Sequence, residues 1–216
     1  MIKKLIYILI FIIASANFTV AQPQNAHLEY NRSGCSFKNF NLNNVLKTAD
    51  KDMLLAQKSK TRDDVKKHLN NAMKNYYIAT QIDSSSIAGH IGLGRVYDLM
   101  NLDKLAKENF FNALNIDPNN ARANFYFGDF YFKREDYINA LFHYNAARKG
   151  GLSKNYVLNY RLGVIYEKLA NIETAKIFYI NAMKFQPKNN ELYEKIRLLD
   201  DLNYGDSQYY LFKKIK

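Results

Sequence analysis

The side chains that most often carry chemistry are few in this sequence and form no recognised motif. No spacing among the histidines and the single cysteine would bring them to one metal ion. These residues are His27, His68, His90, His143 and Cys35. The sequence also lacks the HExxH, CxxC and GxSxG patterns of zinc sites and nucleophile elbows. We therefore expect no metal site, no cofactor and no enzymatic activity.

Two further patterns could suggest chemistry but have structural explanations. Gly89, Gly92 and Gly94 form a GxxGxG pattern that superficially resembles a phosphate-binding loop. Such a loop joins a strand to the N-terminus of a helix, whereas these glycines lie inside a stretch of helical periodicity. Asp63 and Asp64 form one of several acidic pairs at expected helix ends, where carboxylates complement the helix dipole.

Composition favours a helical protein with a substantial core. The 216 residues are 48% hydrophobic and 14% aromatic, which excludes wholesale disorder. Nine glycines and three prolines are few for an all-β chain. The net charge of +11 raises an anionic partner such as nucleic acid as an alternative. The basic residues are interspersed with acidic ones, so we favour solvated helical faces and expect no nucleic acid.

Residues 1–21 have the elements of a secretory signal peptide. Lys3 and Lys4 precede the apolar run LIYILIFII, and small residues follow up to Ala21. An uncleaved membrane anchor is the alternative, but a span needs about 20 apolar residues and Asn17 interrupts this run. We expect cleavage after Ala21 and export to the periplasm or the medium of a bacterium, with membrane association only through an uncleaved segment.

Cys35 is the single cysteine and cannot form a disulfide within the chain. It lies too far beyond the apolar run to be the acylated cysteine of a bacterial lipoprotein. We interpret it as an incidental thiol, and an intermolecular disulfide is the alternative.

The strongest pattern is an internal repeat of 34 or 35 residues. A large apolar residue and a glycine recur at Gly94, Gly128 and Gly163. Each glycine is followed at fixed distances by a tyrosine, an alanine, an aromatic residue and a second alanine. In order, these are Tyr97, Tyr131, Tyr166; Ala106, Ala140, Ala175; Phe110, Tyr144, Tyr179; and Ala113, Ala147, Ala182. Such a period indicates a stack of helical hairpins.

The aromatic run FYFGDFYF at 125–132 has a place in this repeat. Aromatic density favours a strand, but the run does not alternate apolar and polar residues. The repeat assigns Phe127, Gly128 and Tyr131 to packing positions of a hairpin's first helix. We therefore predict a helix over 121–132.

These residues resemble the tetratricopeptide repeat family, whose 34-residue unit has the same residue types in the same order. The resemblance covers about 87–189 and implies an all-α solenoid of stacked antiparallel hairpins, with units at 87–120, 121–155 and 156–189. Where the family has its first large aromatic residue, this sequence has His90, Asn124 and Asn159. We expect neighbouring Phe and Tyr side chains to fill the resulting gaps.

The flanking segments complete the predicted organisation. A flexible lead-in spans 22–41 and a degenerate hairpin spans 42–86. A capping helix follows over 190–203, with an apolar stripe that includes Tyr193 and Ile196. A tail at 204–216 ends the chain.

The resemblance implies protein binding rather than catalysis. In this family the first helices line a concave groove that holds a peptide or helix. By repeat position, the groove candidates are Ile91, Arg95, Asp98, Phe125, Asp129, Phe132, Tyr160, Arg161, Val164 and Glu167. Aromatic residues dominate interface centres, so we expect Phe125, Phe132 and Tyr160 to be the anchors. Arg161 alone matches the residues with which some members bind a terminal carboxylate.

The function expected from this pattern is that of an exported adaptor that binds a protein partner. Two alternatives remain from the sequence. One is a structural component of an envelope assembly, such as a pilus or outer-membrane assembly machinery. The other is a secreted protein that acts on another cell.

Overall fold

The computed structural model describes residues 41–186 and 189–199, all within one compact unit, Phe40–Lys216. The predicted signal peptide, Cys35, the tail at 204–216 and nearly all of the lead-in lie outside the described residues. The described part contains helices and short turns and no strand. The predicted all-α solenoid of antiparallel hairpins is confirmed.

The helices pair in sequence order into four hairpins, and a further helix follows. Their bounds are α1 Leu42–Lys58, α2 Arg62–Ile82, α3 Ile87–Leu99, α4 Asp103–Ile116, α5 Ala121–Phe132, α6 Tyr137–Lys149, α7 Tyr156–Lys168 and α8 Ile172–Met183. A 3-10 turn, Leu152–Lys154, precedes α7. Residues 190–199 form α9. The aromatic run therefore lies in a helix, α5, as the repeat predicts.

Capping residues repeat with the same period as the packing residues. Ser86, Asn120 and Asn155 each accept a hydrogen bond from a backbone N–H in the first turn of α3, α5 or α7. The turns inside the last three hairpins each contain a non-glycine residue with positive φ. These residues are Asn101, Glu135 and Ala170. The period therefore fixes both ends of α3, α5 and α7.

The repeated glycines lie where the two helices of a hairpin approach most closely. A Cβ on Gly128 would lie 2.5 Å from the ring of Tyr144, and a Cβ on Gly94 would lie 2.8 Å from the ring of Phe110. Gly92 faces a ring from the preceding hairpin, since a Cβ there would lie 2.3 Å from Tyr76. The glycines of the GxxGxG pattern are therefore packing residues within α3.

The first helices also form a layer of their own. Helix α3 packs against α1 on one side and α5 on the other. The small residues of the second helices, such as Ala106, Ala140 and Ala175, have no exposed surface. We call the side of α1, α3, α5 and α7 that carries Arg95, Phe125, Asp129, Tyr160 and Arg161 the first-helix face.

Helix α9 covers the apolar surface of the last hairpin. Leu192, Ile196 and Leu199 are buried together with Tyr179 and two alanines of α8. Tyr193, which we expected on the buried stripe, is 59% exposed. It is one residue beyond Leu192 and therefore rotated by about 100° from the face that packs.

Candidate functional site

The centre of the first-helix face is a cluster around the guanidinium group of Arg161. Its carbon lies 5.7 Å from the ring centre of Phe125 and 5.6 Å from that of Phe132. The same guanidinium group forms an ion pair with Asp129. Two predicted anchors and two predicted charged residues therefore meet at one point, with Arg161 from α7 and the other three from α5.

Tyr144 supports this cluster from behind. Its hydroxyl donates to Oδ1 of Asp129 at 2.8 Å, and its ring packs near both Phe125 and Phe132. Burial raises the pKa of Tyr144 and lowers the pKa of Arg161. The guanidinium group has therefore lost much of its hydration, and its interactions hold it in a fixed position.

A second group of residues lies towards α1. Arg95 stacks on Tyr126, with 4.2 Å between the guanidinium carbon and the ring centre. The hydroxyl of Tyr76 donates to Asp50 at 2.6 Å. Burial raises the pKa of Tyr76, as do the hydrogen bond and the charge of Asp50, and the positive charges of Arg95 and Arg122 oppose this rise. Both guanidinium groups therefore act electrostatically on this hydroxyl.

A third group lies towards α9. The hydroxyl of Tyr179 donates to Oε2 of Glu167 at 2.5 Å, and Lys195 of α9 contacts the same oxygen at 3.0 Å. Tyr160 stacks on Tyr156, with ring centres 6.1 Å apart. Val164 and both of these tyrosines pack against the buried cluster that Tyr179 forms with α9. Glu167 is therefore already paired, and Tyr160 remains partly exposed.

Two of the candidates belong to the framework of the fold. Ile91 is 3% exposed and packs with Ala113 and Ala123. Asp98 is 8% exposed and binds Lys133 at 2.6 Å and Arg134 at 2.8 Å. Their side chains are therefore occupied by contacts within the chain and are not available to a partner.

Three comparisons with known proteins bear on the fold. The sequence profile described as tetratricopeptide repeat matches residues 156–189, which are the bounds of the third predicted unit. The fold is that of a tetratricopeptide-repeat solenoid. The comparison with curated proteins found no match.

Solved structures share this solenoid fold at low sequence identity. PilF of Pseudomonas aeruginosa has a TM-score of 0.59 and 21% identity, over 77% of this chain and 72% of that one. MamA of AMB-1 has a TM-score of 0.58 and 17% identity, over 77% and 94% of the two chains. PilW, a widely conserved type IV pilus biogenesis factor, has a TM-score of 0.57 and 19% identity, over 76% and 75%.

The solenoid departs from the family pattern where polar residues replace the first large aromatic residue. His90, Asn124 and Asn159 each bond to the backbone carbonyl six residues earlier, at distances of 3.1, 3.0 and 2.8 Å. Asn124 and Asn159 are 2% exposed. These positions thus fix the loop between hairpins through hydrogen bonds, whereas we had expected aromatic rings to fill gaps there.

Helix α6 supplies a histidine that completes one of these sites. Both N–H groups of the Asn124 amide donate to carbonyls, of Pro118 and Asn120, so its oxygen must accept. Nδ1 of His143 lies 3.0 Å from that oxygen and therefore carries the proton. The ring stacks near Phe127 and Tyr131. Burial lowers the pKa of His143 from 6.5 to about 4.

A tyrosine–carboxylate pair recurs on the first-helix face and was not found from the sequence. It joins the second helix of a hairpin to the first, through Tyr76, Tyr144 and Tyr179. The α3–α4 hairpin lacks it because Phe110 occupies the equivalent position. The repeat register could have revealed the tyrosines, but Asp129 and Glu167 lie at differing offsets from their glycines, and the α1–α2 hairpin has no such glycine.

Two features are absent from the part of the chain that the structure describes. No three side chains among His, Cys, Asp and Glu come together as a metal would require within that part of the chain. None of its helices has the length and apolar character needed to cross a bilayer.

Proposed function

We propose that the protein is a non-catalytic adaptor that holds a segment of a partner protein along its first-helix face. The observation that carries this proposal is the arrangement of Arg161 against Phe125 and Phe132. Partly exposed aromatic rings on rigid helices lose little side-chain entropy when they bind, which favours their use as anchors. Tyr160 extends the aromatic surface onto the next hairpin.

The proposal is tested by removing anchors from one side of the solenoid at a time. Phe125→Ala with Tyr160→Ala should reduce partner capture from a native extract at least tenfold. The matched control is Phe111→Ala with Phe142→Ala, because these rings of the second helices are 51% and 69% exposed. Capture is quantified by mass spectrometry of affinity-purified full chain, and circular dichroism verifies that each variant keeps its helix content.

The two variants separate two modes of binding. Loss of capture in the Phe125 and Tyr160 variant alone supports the first-helix face. Equal capture by that variant and the natural chain would refute this site. Loss only in the Phe111 and Phe142 variant would instead place the partner on the second helices.

A structural role in an envelope assembly is the second candidate. Similarity to PilF and to PilW, a type IV pilus biogenesis factor, supports it. Exposed apolar residues on α6 also support it, since Ile138 and Phe142 are 79% and 69% exposed. In this case the chain should migrate with a large detergent-extracted complex, and the Phe142 substitution should release it.

Export is part of both candidates. The sequence of residues 1–21 supports it. Fractionation of cells with mass spectrometry of the mature chain should find an N-terminus at Gln22 in the periplasm. The same chain found chiefly in the culture medium would favour a secreted protein that acts on another cell. A full-length chain in the cytoplasm would contradict export.

A further inference from the structure

The acidic groups of the first-helix face are already paired within the protein. Asp129 pairs with Arg161, and Glu167 pairs with Lys195. Asp50 accepts from Tyr76. The carboxylates of this surface are therefore at least partly compensated by the chain's own donors and contribute little free negative charge.

Two arginines on the same face have no such partner within the described part of the chain. Arg95 and Arg122 form no ion pair with any residue in 41–186 or 189–199. Arg95 is partly exposed and Arg122 is exposed. Arg95 is also held in place by its stacking on Tyr126. The α3–α5 end of the face therefore presents unneutralised guanidinium groups in a chain whose net charge is +11.

We propose that the partner segment is acidic, with side-chain carboxylates on Arg95 and Arg122 and an apolar residue against Phe125 and Phe132. This inference rests on the proposed function and names the chemistry of its ligand. Guanidinium groups bind carboxylates in a planar, two-point geometry. Charge complementarity of this kind sets orientation and association rate more than total affinity, so it would fix which end of the segment lies towards α1.

The same charges do not suit a nucleic acid. Stable binding to a polyanion neutralises a series of phosphates, commonly about six to ten. Among the described residues the first-helix face offers only two arginines without an ion pair, Arg95 and Arg122, which is too few for such a series. Carboxylates spaced along a mixed acidic and apolar segment fit this surface better.

The test uses labelled synthetic peptides and the full chain. The probe is a fluorescein-labelled, C-terminally amidated 12-residue peptide of Glu and Leu, and its partner peptide has Gln in place of each Glu. Fluorescence anisotropy measures the affinity of each. We expect the Glu peptide to bind about tenfold more tightly than the Gln peptide, with an affinity that falls as salt rises.

Matched variants then locate the contact. Arg95→Gln with Arg122→Gln should weaken binding of the Glu peptide about tenfold. The control Lys104→Gln with Lys149→Gln removes the same charge from exposed positions on the second helices and should change it less than twofold. Equal weakening by both pairs would show attraction to the net charge alone and overturn the site.

Further outcomes also decide the inference. Equal affinity for the Glu and Gln peptides would overturn it, as would tighter binding of a 20-nucleotide single strand than of the Glu peptide. Tight binding only when the peptide carries a free terminal carboxylate would assign a chain terminus instead of an acidic segment. Any of these results, with partner capture still dependent on Phe125 and Tyr160, would leave the adaptor proposal standing.

Discussion

The α3–α4 and α5–α6 hairpins place opposite charges at the same position of the first-helix face. Arg95 and Asp129 each follow the packing glycine, Gly94 or Gly128. Behind them lie Phe110 in one hairpin and Tyr144 in the other. In the α5–α6 hairpin, Asp129 is bound by Tyr144 and Arg161, whereas Arg95 stacks on Tyr126 and forms no ion pair within the described residues.

This difference shows that packing and surface chemistry vary independently in the solenoid. In both hairpins an aromatic ring packs against the glycine of the first helix, Phe110 against Gly94 and Tyr144 against Gly128. The phenolic hydroxyl extends beyond this contact and reaches the face where a partner would lie. The hydroxyl of Tyr144 and the replacement of Arg95 by Asp129 at the equivalent position therefore change the surface, while the packing of the two helices stays the same.

The largest expected effect falls on the shared framework. Gly94→Ala and Gly128→Ala should each lower the free energy of unfolding by about 2–3 kcal/mol, because the new methyl group overlaps a ring. Alanine otherwise favours a helix over glycine, so any loss reports the overlap. Urea denaturation measures the effect in both variants.

Truncating the ring provides the control for this prediction. When Tyr144→Leu is added to Gly128→Ala, the double variant should recover part of the stability that Gly128→Ala alone loses. Phe110→Leu added to Gly94→Ala should have the same effect. If only one hairpin responds to the added methyl group, the two frameworks are not equivalent and the comparison fails.

The next largest effect is a pH dependence of stability that arises in the α5–α6 hairpin, from His143. The pKa of His143 is lowered to about 4 in the folded chain, so the unfolded chain takes up the proton first as pH falls below 6.5. Stability contributed by the neutral ring is full above pH 6.5 and is lost between 6.5 and 4, at about 1.4 kcal/mol per pH unit. By pH 5 the loss is about 2 kcal/mol.

His143→Phe should remove this dependence, because phenylalanine does not titrate. The α7–α8 hairpin already uses this residue, since Phe178 occupies the equivalent position opposite Asn159. Urea denaturation at several pH values gives the slope for each chain. Identical slopes for the variant and the natural chain would show that His143 is not the group that titrates.

The smallest expected effect tests the difference between the paired charge of Asp129 and the charge of Arg95. Arg161→Gln should cost about 1 kcal/mol of stability, because it leaves Asp129 partly buried with one hydrogen-bond donor fewer. Arg95→Gln should cost less than about 0.5 kcal/mol, since Arg95 has no ion pair within the described residues. Equal losses would show that both arginines serve stability, and the contrast between the hairpins would disappear.

Much of the framework could be predicted from the sequence because its determinants repeat. Gly94, Gly128 and Gly163 and their aromatic partners recur at a fixed period, and each contact is made between the helices of one hairpin. The helical state of the aromatic run followed from the same register. Local periodicity therefore suffices wherever both partners lie in one unit.

The site was predicted only as a set of positions. The meeting of Arg161 with Phe125 and Phe132 depends on the offset between α7 and α5, which no spacing within a unit reveals. The burial of Ile91 depends likewise on its contact with Ala123 of the next hairpin. Asn124 and Asn159 looked like gaps because a residue type alone does not show which carbonyl it will reach.

The contact between Tyr76 and Gly92 has a consequence for how the chain unfolds. In stacked repeats the terminal units usually fray first, since each contacts only one neighbour. Here the ring of Tyr76, from the first hairpin, packs against Gly92 of α3 in the second. The hydroxyl of the same tyrosine is bound to Asp50 of the first hairpin. Fraying of α1 and α2 must therefore disrupt α3 as well. We expect the amide protons of the two hairpins to exchange with solvent as one cooperative unit.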